Sequence, residues 1–145
     1  MELYLTNEIF SWRVYLQEPD YIIPKNFNRS YDHLKHAETL LQIDDANDFT
    51  RIDAITTLKR AIEHRVKALA AIYKWNQMPL IFPKGEFQQL EHLGIAKHYL
   101  AKQLIDIRNS IEHKDSLPPE LNRCKEFAEL TWYFLRSTDK LLVQV

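Results

Sequence analysis

Apolar residues recur with helical spacing from about Asn26 to the end of the chain. Phe27, Tyr31, Leu34 and Leu41 fall at i, i+4, i+7 and i+14, and Glu38, beside Ala37, is the single break in that stripe. The spacing predicts a first core helix over 28–43. A longer pattern from Ala46 to about Trp75 passes through Ile52, Ile55, Ile62, Val66, Leu69 and Tyr73, and a helix of that length spans about 45 Å. It is the expected spine of the fold. Pro79, Pro83 and Gly85 interrupt the period, so 76–93 reads as a connection with one short helical turn.

The period resumes after Gly94, with Leu100, Leu104, Ile107 and Ile111 marking a third helix from Ile95 to His113. Ser116-Leu-Pro-Pro-Glu120 ends that run and opens a fourth, Pro119 to Leu142, because proline is tolerated in a first helical turn. Trp132-Tyr-Phe-Leu135 is apolar on every side, which places it at the centre of the molecule or against another subunit. The expected fold is all-α, an up-and-down bundle of four to five helices. It occupies 26–145, and an N-terminal arm, 1–25, of mixed period packs on it.

Composition agrees with a packed globular chain: 145 residues, 46% hydrophobic, 27% charged and 12% aromatic. Glycine sharpens the picture. Only Gly85 and Gly94 occur, too few and too far apart for a dinucleotide fingerprint or a phosphate-cradling loop. One cysteine, Cys124, forms no internal disulfide and reads as a small buried hydrophobe in a reducing compartment. The first residues carry acids where a signal peptide carries Lys or Arg, and no run approaches 18 apolar residues; a cytoplasmic protein without membrane contact is expected.

The net charge of −1 gives no global basic field. Its distribution is uneven, however. Residues 1–57 carry five Lys/Arg against ten Asp/Glu, 58–115 ten against six, and 116–145 four against four. The basic portion is therefore central, and its run Lys59, Arg60, Arg65 and Lys67 could track a nucleic-acid backbone or form a solvated helix face. His33 and His36, at i and i+3, read as surface histidines, since no Glu stands three residues before any His as a di-iron bundle requires. One cysteine cannot build a structural zinc site, and no metal or other cofactor is expected.

The segment Ile107-Arg-Asn-Ser-Ile-Glu-His113 has the form Arg-Asn-x-x-x-His at the end of the third helix, ahead of a proline-bounded connection. In an all-helical setting it resembles the HEPN superfamily, whose helical domains carry an Arg followed after four to six residues by His, often with a polar residue directly after the Arg. The resemblance covers roughly residues 26–145. Arg29 and His36 satisfy a looser form of the same pattern, but on the wrong helix.

That resemblance implies metal-independent RNA cleavage. His113 would move protons to and from the ribose 2′-hydroxyl and the leaving 5′-oxygen. Arg108 would stabilise the charge on phosphorus, and Asn109 would hold a phosphate oxygen or the imidazole. Lys59, Arg60, Arg65, Lys67 and Lys114 would bind RNA. On a straight helix Arg108 and His113 point about 140° apart, so convergence needs a loosened helix end or a homodimer with a composite site. A toxin or phage-defence role, restrained by an antitoxin or a nucleotidyltransferase, follows by analogy. Some toxin-like members carry a modifiable Tyr two residues after the His; here that residue is Asp115. The alternatives are a non-catalytic interaction or RNA-binding module on the same scaffold, and an Arg and His that only cap carbonyls and pair with Asp106, Glu112 or Asp115.

Overall fold

The computed structural model describes residues 28–43, 46–79, 82–110 and 117–142. The expected N-terminal arm, His113 and Lys114 lie outside the described residues. Five α-helices follow one another: α1 (Arg29–Leu41), α2 (Asp48–Tyr73), α3 (Glu86–His92), α4 (His98–Asn109) and α5 (Leu121–Thr138). Short 3-10 turns at Trp75–Gln77 and Asp139–Leu142 follow α2 and α5. Among the described residues there is no strand, and no helix is long and apolar enough to cross a membrane.

Each long helix buries one stripe. In α1 it is Ser30, Leu34, Ala37 and Leu41; in α5, Cys124, Phe127, Ala128, Thr131, Phe134, Leu135 and Thr138. On α2, Ala54, Ile55, Leu58, Ala61, Ile62, Val66 and Leu69 face the same core. Asn47 starts α2 by accepting the Thr50 amide at 2.9 Å, which satisfies a donor the helix leaves open. Asn47→Ala is expected to lower stability by about 1 kcal/mol, read from chemical denaturation. Lys74 ends the helix in the left-handed region, with φ of 50°.

Three cross-helix hydrogen bonds set the directions. Arg51 Nη1 donates to the Pro119 carbonyl, Arg65 Nη1 to the Leu135 carbonyl, and the Tyr73 hydroxyl to the Leu141 carbonyl. Contacts that advance together along both segments mean that α2 and α5 run parallel. The Tyr31 hydroxyl donates to Asp139, beyond the far end of α5, so α1 is antiparallel to both. Arg123, near the start of α5, reaches Gln103 of α4 at 2.6 Å and lies over the Phe127 ring. The long helices run up, down, up, down, and α3, which follows α2 in the chain, packs on α4. The ends of α1 and α4 and the starts of α2 and α5 therefore share one end of the bundle.

Two expectations are corrected, and one open alternative is narrowed. The connection 76–93 contains a two-turn helix, α3, whose Phe87 and Leu90 are buried; it closes at Gly94, whose φ of 71° is costly for any residue with a Cβ. α4 begins at His98 rather than Ile95, because the Ile95 and Ala96 amides are both taken by the Leu90 carbonyl. Of the two places open to Trp132-Tyr-Phe-Leu135, full enclosure in the centre of the molecule is not the one observed. Phe134 and Leu135 are fully buried, but Trp132 is 38% and Tyr133 62% exposed.

Candidate functional site

The last turn of α4 is seated by Ala101, Leu104 and Ile107, all within 2% of complete burial. Asn109 is exposed, and Arg108 is placed in the same turn by its backbone. Ser110 finishes the helix: its amide donates to the Asp106 carbonyl at 2.9 Å and its hydroxyl to the Ile107 carbonyl at 2.8 Å. The chain re-enters the described structure at Leu117-Pro118-Pro119. Arg51 holds that return by its bond to the Pro119 carbonyl at 3.1 Å, and it is itself paired with Asp48. Cys124 lies beneath, its thiol donating to the same carbonyl at 3.4 Å. Burial raises the thiol pKa, with the nearby Arg51 acting in the opposite direction, which suits a packing role rather than a nucleophile.

Both flanks of 111–116 are thus anchored at the shared end of the bundle. Arg51 was not singled out in the sequence. The signal for it was present in the capped start of α2, where Asp48 and Arg51 stand at i and i+3. His113 and Lys114 fall outside the described residues, so the structure neither joins His113 to Arg108 nor separates them.

The basic run on α2 divides. Arg60 and Lys67 are exposed on one face, while Lys59 is half-buried with its ammonium 4.0 Å from Glu63. Arg65 is the correction. It is 1% exposed and points inward, so it has no surface with which to meet a polyanion. Its Nη1 lies 2.6 Å from the Leu135 carbonyl, 2.7 Å from the Thr138 hydroxyl and 2.9 Å from Asp139 Oδ1. Its guanidinium is 5.6 Å from the Tyr31 ring centroid. Burial, then the hydrogen bond to Asp139, push the Tyr31 hydroxyl up to about 12.

A second feature was missed. His33 of α1 and His64 of α2 stack at 5.2 Å with planes 17° apart. Both imidazoles are lowered from 6.5, first by burial and then by neighbouring cations: His64, Arg60 and Arg29 act on His33, and Arg29 and Lys67 on His64. Only pairing the two helices brings these residues together, so no spacing along the chain announces them. Among the described residues no three His, Cys, Asp or Glu side chains gather as a metal site.

No protein-family model, no curated protein and no solved structure matches this chain.

Proposed function

We propose that the protein is a metal-independent endoribonuclease of the HEPN kind, working as a homodimer with a composite site. The observation that carries the reading is that Arg108 and Asn109 close α4 in an all-α bundle, in a sequence that continues as Arg-Asn-x-x-x-His to His113. His113 takes the proton from a ribose 2′-hydroxyl, whose oxygen attacks the adjacent phosphorus; the bond to the 5′-oxygen breaks, and the imidazolium returns the proton to that oxygen. Arg108 meets the charge that grows on the phosphoryl oxygens, with two donors of its planar fork directed at them. Asn109, exposed in the same turn, holds a phosphate oxygen or fixes the imidazole. The products are a 2′,3′-cyclic phosphate and a 5′-hydroxyl, and DNA, which lacks the nucleophile, is inert.

Such an activity needs restraint in its own cell, which supports a toxin or defence effector held by an antitoxin or a nucleotidyltransferase partner. A non-catalytic RNA-binding module is the second reading, favoured by the exposed cations Arg60 and Lys67, far along α2 from the motif. Incubation of labelled RNA with the purified protein in EDTA separates the two. The expected result is cleavage that survives chelation and leaves cyclic-phosphate ends. Binding without any cleavage, in the presence or absence of EDTA, would select the second reading.

A further inference from the structure

The stacked histidines sit at the middle of a basic seam. Arg29, His33 and His36 stand at i, i+4 and i+7 on α1, and Arg60, His64 and Lys67 at i, i+4 and i+7 on α2. Since the helices are antiparallel and His33 faces His64, Arg29 falls opposite Lys67 and His36 opposite Arg60. Arg29, His36, Arg60, His64 and Lys67 are all exposed. His33 backs the seam, its Nε2 buried and without a hydrogen-bond partner among the described residues. Two acids face it: Asp32 acts on His33 and Glu63 on His64, and Glu63 is drawn to Lys59.

We propose that the α1–α2 seam is an RNA-binding strip, in which Arg29, Arg60 and Lys67 hold backbone phosphates on either side of the stacked His33 and His64. The electrostatics favour it. None of the three cations forms an ion pair among the described residues, and they crowd imidazoles that would themselves become cations. Like charges so arranged oppose folding, and an anionic ligand relieves them. Arg60 and Lys67 are two turns apart, about 10 Å along the helix, too far to share one small anion and suited to separate phosphates of one polymer. The exposed His64 ring offers a face on which a base can stack. Choosing RNA as the polyanion rests on the function proposed above; the strip rests on its own geometry.

In the free protein both histidines are lowered, so the unfolded chain binds protons more readily, and stability falls as pH drops below 6.5. A bound phosphate reverses the local field and draws a proton onto His64. Affinity for RNA should therefore rise as pH falls from 8 to about 6.

The test is fluorescence anisotropy with a labelled 2′-O-methyl oligouridine, which binds but offers no 2′-hydroxyl for cleavage. The intact protein is expected to bind more tightly at the lower pH. R60A/K67A is expected to weaken binding roughly tenfold and to reduce the salt slope by about 1.4, at about 0.7 per single-strand phosphate contact. His64→Gln should flatten the pH dependence. K97A/K102A, at the start of α4, removes two cations elsewhere and serves as control. The melting temperature of R60A/K67A should not fall, since its substitutions sit on exposed positions that repel their neighbours. Equal weakening in R60A/K67A and the control, or no binding by the intact protein, would overturn the strip. Cleavage that persists without strip-dependent binding removes the strip alone; binding without cleavage removes the nuclease alone.

Discussion

Arg65→Ala should cost about 3–5 kcal/mol of folding stability, the penalty for breaking a buried ion pair from one side. The guanidinium is the only described group that meets the Leu135 carbonyl, the Thr138 hydroxyl and Asp139 together. Its removal opens a cavity between α1, α2 and α5 and leaves Asp139, whose side chain is 20% exposed, without its cation. Thermal melting should show a drop on the order of 10 °C. Arg65→Met tells the two costs apart. Nε and Nη2 of Arg65 are buried without partners among the described residues, so the charge is incompletely compensated and an apolar side chain of similar length should recover much of the loss. If methionine is as damaging as alanine, the network itself holds the C-terminal end of α5; if alanine costs under 1 kcal/mol, the burial argument fails.

Arg108→Ala and His113→Ala should each lower RNA cleavage by about 10²-fold or more, the usual effect of removing a proton-transfer group or a transition-state charge donor. Arg108→Lys keeps the charge and loses the fork, so it should fall between alanine and the intact protein. Mixing the two alanine chains tests the composite site. If each site takes Arg108 from one subunit and His113 from the other, random exchange leaves half the dimers with one intact site of two, restoring about a quarter of the activity. No recovery on mixing would place both groups in one chain. Cleavage unchanged in either single variant would remove that residue from the mechanism, and a strictly monomeric protein at micromolar concentration would remove the composite site.

The long helices were legible because period alone decides which face is buried, and their stripes are nearly uninterrupted. Arg65 shows how residue type can mislead where position does not. It stands three residues after Ile62 and four before Leu69, on the apolar face, and its charge suggested a surface that its register denied. α3 was under-read since seven residues leave room for one apolar pair, Phe87 and Leu90, too few for a period to emerge. For Trp132 and Tyr133 the pattern left two places open, and the exposed one is observed. Consecutive residues on a helix point about 100° apart, so four large apolar residues in a row need not all be inside. The Arg108-Asn109 turn was readable as a helix end, while the Arg51 bracket and the histidine stack depend on which helices become neighbours.

The bundle is also unequal in its cohesion. Among the described residues α1, α2 and α5 pack most densely on one another, whereas α3 rests on α4, and α4 is joined more sparingly to α2 and α5. Segments with fewer cross-chain contacts open at lower free energy than the global transition. If the described contacts set the order of opening, hydrogen exchange should be faster in the α4 amides, the turn bearing Arg108 and Asn109 included, than in α1, α2 and α5. On that ordering, the α4 turn would exchange before the Arg65 network at the other end of α5 gives way.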